Sequence, residues 1–221
     1  MERAALLPTQ LTYTNIVLIP KSAKVERPIA LTSCLYRVWN SYRKHDIQRW
    51  QMTLDDELPW DQARPKRDCL SIAVGRMLKS EIKKHQGIHT VTCLADLSCF
   101  YDTVNLDHII EPAAELNYPP VHLKLALDLY SGLRLLQAEG IAGDPRHYSH
   151  GILQGCPQAP AISKLILYKP LKALQHAHPA VALQTWWMMS PLMSVAVIRI
   201  MLLGRPSWPT DRSEGSSLKR A

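Results

Sequence analysis

Asp96-Leu-Ser-Cys-Phe-Tyr-Asp102 is the stretch from which the rest of the chain is read. Two aspartates bracket an aromatic residue, and the β-prone run Val91 to Ala95 leads into the first of them. A carboxylate at the end of a buried strand can hold a hard cation such as Mg²⁺, which takes oxygen ligands. Tyr101, five residues on, can wall a pocket beside it. Taken alone, the heptapeptide reads as a strand ending in an Asp turn, with Asp102 near a helix start.

Three further stretches surround it. Ile16-Val-Leu-Ile-Pro-Lys21 and Glu26-Arg-Pro-Ile-Ala-Leu31 lie upstream, and Gly151-Ile-Leu-Gln-Gly-Cys-Pro-Gln-Ala-Pro160 lies downstream. The upstream pair predicts a hairpin with Lys21 and Arg27 near its tip, Pro28 sitting at a strand start where a missing N–H is tolerated. Gly155 lets backbone approach a ligand closely. Gln154 and the following helix start can donate hydrogen bonds to a nucleotide or a template strand.

In this order the four stretches resemble the fingers and palm motifs of reverse transcriptases, most closely those of non-LTR retrotransposons and group II introns. The resemblance spans roughly residues 15 to 186. It implies an α/β (α+β) fold: a partial fingers region at 15–88, then a palm region at 89–186 whose antiparallel sheet has helices packed on one face. Residues 1–14 are expected to be a poorly ordered fragment.

The resemblance also implies roles. Asp96 is the catalytic carboxylate and metal ligand for Mg²⁺. Lys21 and Arg27 reach the triphosphate of the incoming nucleotide, Arg as a planar fork and Lys as a point charge. Tyr101 stacks under its sugar, and Gln154 and Gly155 lie beneath the templating base. An RNA template, a DNA primer and a dNTP are the partners so implied. Ala159 stands where the family usually has Ser.

The family takes further carboxylates from two adjacent aspartates in a hairpin turn, and two cations then align attack and departure. Trp186-Trp-Met-Met189 occupies that place, and no acid follows until Asp211. Trp and Met each have a single codon, so the four residues are encoded TGG TGG ATG ATG. Read from its third base, that string gives GTG GAT GAT, or Val-Asp-Asp. Residues 187–221 are therefore read as an out-of-frame, largely disordered tail, and the chain as an inactive remnant. A non-enzymatic nucleic-acid-binding module is the alternative, and an unrelated small α/β protein a third reading.

Composition agrees with a globular domain: 221 residues, 47% hydrophobic and 20% charged, with net charge +7. The charge is uneven. Residues 1–50 carry eight Lys/Arg against three Asp/Glu, whereas residues 51–186 carry 13 against 14. A basic N-terminal part suits a polyanion. Five scattered cysteines form no CxxC pair and suit a reducing compartment. The N-terminus does not read as a signal peptide, so the expected location is intracellular, nuclear or cytoplasmic. The apolar run Met188–Leu203 is 16 residues long and contains Arg199. That is short of the ~20 a spanning helix needs, and the arginine is costly in lipid, so no membrane partner is expected.

Between the motifs, Thr32 or Ser33 is expected to cap a helix to about Trp50, with Leu35, Val38, Trp39 and Tyr42 on one face. Residues 51–65 read as a solvated loop. Cys69 to Lys84 reads as an amphipathic helix with Leu70, Ala73, Val74, Met77, Leu78 and Ile82 inward. Pro112 should end or kink a helix that Asn105 caps. A further helix is expected from Val121 to Leu136. Asp144, His147 and His150 are read as loop residues.

Binding to nucleic acid should then be mostly electrostatic. Filter binding across a salt series should give a log–log slope of about −0.7 to −0.9 per neutralised phosphate, with affinity weakened by charge reversal at Lys21 and Arg27. Affinity that ignores salt would contradict this.

Overall fold

A computed structural model describes the backbone of residues 1–22, 25–54, 56–64, 67–187 and 196–204, and side chains over 1–20, 26–54, 56–64, 67–68, 70–95 and 97–185. The fold is mixed α/β, as the sequence implies. Strands β1 (Thr14–Ser22) and β2 (Val25–Leu31) form the expected antiparallel hairpin, with Ile19 opposite Arg27 and Ile16 opposite Ala30. Helices α1 (Cys34–Tyr42), α2 (Lys44–Thr53) and α3 (Cys69–His85) follow. Then come β3 (His89–Asp96), the short α4 (Phe100–Thr103), α5 (Asp107–Glu115) and α6 (Pro120–Tyr130). The chain continues through β4 (Leu133–Ala138), β5 (Ile141–Ala142), β6 (Arg146–His147), α7 (Ala159–Ala177), β7 (Ala182–Trp187) and β8 (Ala196–Gly204).

Two sheets result. The first runs β2-β1-β4-β5, with β6 also paired to β4, and is mixed because β4 lies parallel to β1. The second runs β3-β8-β7 and is antiparallel throughout. Helix α7 carries much of the core, burying Ile162, Leu165, Tyr168 and Leu171. Tyr36, Leu125, Leu129 and Tyr130 join it from α1 and α6.

The helix expected over Val121–Leu136 stops at Tyr130, and Leu133 onward is strand instead. Gly132 explains the switch. A Cβ there would lie 2.2 Å from the Thr12 carbonyl oxygen, so only glycine lets the chain pass that close. Beyond it, Arg134 pairs with Thr14 and Gln137 with Val17.

The single helix expected to Trp50 breaks at Arg43, whose guanidinium forks onto Glu2 with Nε and one Nη each 2.7 Å from its oxygens. Together with a hydrogen bond from Trp39, that fork holds the Glu2 carboxyl at about 2, well below the usual range. The N-terminal segment, expected to be poorly ordered, is anchored by this pair, by buried Leu7 and by the Leu7 N–H on Asp128.

The inward face of α1 is also corrected. Leu35, Val38 and Tyr42 are exposed, while Tyr36 and Asn40 are buried. Asn40 is tolerable inside because it is satisfied: its amide donates to the Tyr36 carbonyl and its oxygen accepts from Gln158 at 2.8 Å. Gln158 in turn accepts from the Tyr118 hydroxyl and lies 3.4 Å from His122, whose other nitrogen meets Asp46. This network joins the start of α7 to α1, α2 and α6.

On α3, Leu70, Val74, Met77, Leu78 and Ile82 are exposed rather than inward, because the helix packs chiefly on the edge strand β3. Val91 and Leu94 of β3 are exposed too, so this strand is not buried as expected. Pro112 neither ends nor breaks α5, which continues to Glu115. The loop expected to be solvated contains buried Leu58, Trp60 and Asp61. Asp61 meets Lys164 at 2.8 Å, and Trp60 and Gln62 exchange backbone hydrogen bonds with Thr185 of β7.

Part of the stretch read as a disordered tail is strand: β8 pairs with β7 on one side and β3 on the other. Residues 188–195 and 205–221, where the rest of the expected disordered tail falls, lie outside the described residues.

A stability measurement separates these faces. Leu125→Ala in α6 should cost about 2–5 kcal/mol in denaturant unfolding. Leu78→Ala on α3, 58% exposed, should stay within about 0.5 kcal/mol.

Candidate active-site cleft

Strand β3 delivers Asp96 as its last residue. Asp96 is in register with Val197 of β8, and Val197 is in register with Trp186 of β7. Asp96 therefore lies at the end of the sheet from which the β7–β8 connection leaves. The side chains of Asp96 and Lys21 lie outside the described residues.

After Asp96 the chain turns through Cys99, which takes a left-handed conformation at φ 51°. Its carbonyl accepts from Asp102 and Thr103 and starts α4. A non-glycine residue held there costs on the order of 1 kcal/mol, which the surrounding contacts must offset. Tyr101 is partly buried and meets Phe100 edge-on, ring centroids 5.7 Å apart.

The Gly151–Gly155 loop closes on this turn. Gly151 N–H donates to the Val104 carbonyl at 2.7 Å, and Ile152 N–H to the Tyr101 carbonyl at 2.8 Å. Gly151 has φ 89°, and a Cβ on it would lie 3.2 Å from the Tyr101 carbonyl oxygen and 3.3 Å from that of Asp102. At its other end the loop docks on the hairpin: Ala30 N–H donates to the Gln154 carbonyl at 2.7 Å. Gly155, at φ 107°, leaves no room for a side chain, since a Cβ would lie 2.8 Å from the Ala30 carbonyl oxygen. Two motifs about 50 residues apart in sequence thus share one place, as a common ligand would require.

Between them is a cavity of about 180 Å³. Ile16, Pro28 and Ala30 line it from the hairpin, Arg134 and Leu136 from β4, Asp102 from α4, Tyr148 from just after β6, and Gln154 from the glycine loop. Burial against this wall raises the Asp102 carboxyl above its ordinary range, and the Arg134 charge pulls it partly back. Arg27 does not line the cavity. Side chains alternate along a strand, so Arg27 lies on the hairpin face opposite Pro28 and Ala30. Arg134 and Tyr148 were missed by sequence reading, Arg134 because it had been placed inside a helix. Ala159, at the start of α7, is buried. His147 lies in β6 with its Nδ1 3.1 Å from the Ser131 carbonyl oxygen.

Among the described residues, no group of three or more His, Cys, Asp or Glu could hold a metal ion. Strand β8, which neighbours Asp96, contains no acid, and neither does the connection from Met188 to Val195. Asp96 with no second carboxylate from the hairpin does not fit a pair of divalent cations, each of which needs several oxygen ligands. No helix among the described residues is long and apolar enough to cross a membrane.

Gly155 yields a sharp expectation, with Gly75 of α3 as its comparison. Gly155→Ala should lower stability by more than about 1 kcal/mol, through strain and the clash with Ala30. Gly75→Ala, in α3 with open space around its Cβ position, should be neutral or stabilising by up to about 1 kcal/mol. Thermal unfolding of the two variants checks this, and equal effects would contradict the geometry.

The fold and site have known counterparts. The family model described as reverse transcriptase (RNA-dependent DNA polymerase) matches residues 19–193. A solved structure of apo telomerase from Candida tropicalis, truncated from its C-terminal domain, aligns with a TM-score of 0.58 at 12% identity. The alignment covers 88% of this chain and 45% of that one, so this chain spans less than half the length of the neighbour. No curated protein matches the sequence.

Proposed function

We propose, for a chain that belongs to the reverse transcriptase (RNA-dependent DNA polymerase) family, that it keeps the nucleic-acid contact surface of such a domain without its two-cation chemistry. One observation carries this reading. Asp96 and Trp186 lie on either side of Val197 in one sheet, and the connection that leaves that end contains no carboxylate. In this reading Asp96 is the remaining metal ligand. Tyr101, Gln154 and Gly155 face an incoming dNTP and its template base, Lys21 meets its phosphates, and Arg27, on the other hairpin face, meets phosphates outside the cavity. The partners are an RNA template and a DNA primer. The motif order supports an origin in a non-LTR retrotransposon or group II intron type of element, acting inside the cell.

The codon string behind Trp186-Trp-Met-Met189 supports a lost base as the reason for the missing acids. The sequence after the shift, Ala196-Val-Ile-Arg-Ile-Met-Leu-Leu-Gly204, is apolar enough to occupy the neighbouring strand position. A lost frame therefore need not leave the sheet edge bare. The same lack of carboxylates favours a second reading, a nucleic-acid-binding module with no catalytic role.

Primer extension and filter binding on one preparation test the proposal. The expected outcome is salt-sensitive binding of an RNA–DNA template–primer and no extension with Mg²⁺ or Mn²⁺. Extension by the 221-residue chain, abolished by Asp96→Ala, would overturn it. Reinserting one G after the Trp186 codon should open a frame with further palm motifs, whereas an immediate stop there would remove the frameshift account.

A further inference from the structure

Arg134 is a charge that the reading above leaves unused. It stands on β4, half-buried at the edge of the cavity between the hairpin and the two loops. One Nη donates to the Tyr130 carbonyl at 2.9 Å and to the Gly151 carbonyl at 2.8 Å. The guanidinium carbon lies 5.1 Å from the centre of the Tyr148 ring. The other Nη sits 3.3 Å from where a Gly151 Cβ would be, beside the carbonyls of Tyr101 and Asp102. Its Nε is buried with no hydrogen-bond partner. A partly desolvated guanidinium is costly, and a chain needing only a filler here would do better with an apolar residue. What arginine adds is a rigid plane that holds backbone oxygens from two elements while stacking on an aromatic face.

We propose that Arg134 is a positioning residue for the nucleotide site, tying the Gly151–Gly155 loop to β4 and the end of α6 so that Tyr101 and Gln154 keep one spacing. The proposal rests on the reading of this cleft as a nucleotide site. The Gly151 carbonyl is held by Arg134, and the Gly151 and Ile152 N–H groups are held by Val104 and Tyr101. Releasing the carbonyl frees the loop to shift while the sheet around it stays paired. Lysine cannot replace the group, because a single ammonium cannot stack flat on Tyr148 and hold both carbonyls.

The test uses the full chain with Mg²⁺, a 3′-blocked RNA–DNA template–primer and the next complementary dNTP. Arg134→Ala and Arg134→Lys should each raise the dNTP concentration for half-saturation about tenfold, as loss of a charge-assisted hydrogen bond does. Affinity for the template–primer alone should stay within about twofold, since phosphate contacts dominate it. Amide exchange at Gly151 and Ile152 should rise in both variants. Methylguanidinium should restore dNTP affinity to Arg134→Ala and not to Arg134→Lys. If the alanine variant does not fold, the lysine variant carries the test. Unchanged dNTP affinity in the variants, or full retention with lysine, would overturn the positioning role while leaving the nucleotide reading in place. A wild-type chain that binds template–primer but no dNTP would overturn the nucleotide reading and the proposal with it.

Discussion

The backbone of residues 151–155 is the constraint on which the site depends. Its N–H groups at Gly151 and Ile152 are spent on Val104 and Tyr101, and its Gln154 carbonyl on Ala30. Three separate segments therefore meet through main-chain hydrogen bonds, which carry no side-chain choice. The loop is this thin with Gly151 and Gly155 both at positive φ, a Cβ being crowded at the first and excluded at the second. Beyond the loop, α7 opens into the core, and Gln158 extends the same polar stitching to Asn40 and Tyr118. The hairpin, the turn after Asp96 and the core helix are thus positioned by one short stretch.

That stretch was legible in the sequence, because glycines flanking a Gln ahead of an apolar helix have few other uses. The β1–β2 hairpin, β3 ending at Asp96 and the start of α7 were legible for similar reasons: each has a local pattern and a local stop. What was not legible depended on partners distant in sequence. Leu133 to Leu136 fits a helix or a strand equally well by pattern, and the Gly132–Thr12 approach decides between them. Arg134 then becomes visible as part of the cavity only once β4 is a strand. On α1, hydrophobic periodicity pointed to Leu35, Val38 and Tyr42, yet the buried face carries Asn40. A fully satisfied polar network can outweigh a hydrophobic stripe, and periodicity does not register it. On α3 the pattern was read correctly as amphipathic, but among the described residues little packs against that face.

Scaffold and chemistry separate cleanly in this chain. The order β3-β8-β7 needs only strands of suitable length and apolar content, and Ala196–Gly204 supplies one. The chemistry of the family needs carboxylates at one point of the β7–β8 connection, where the sequence has Met, Ser, Pro, Leu and Val. Fold is specified by many weak, replaceable contacts, and a cation pair by a few side chains that have no substitutes. The first can therefore form in a chain that lacks the second.

Cation stoichiometry addresses the central claim most directly. Mn²⁺ binding followed by electron paramagnetic resonance would compare the 221-residue chain with a variant carrying Trp187→Val, Met188→Asp and Met189→Asp, which places two aspartates in the β7–β8 connection and leaves the rest untouched. The account predicts no coupled pair of cations in the unsubstituted chain. In the variant a spin-coupled pair should appear and vanish again with Asp96→Ala. A coupled pair in the unsubstituted chain, or none in the variant with its fold intact, would contradict the placement of Asp96 opposite a connection without acids.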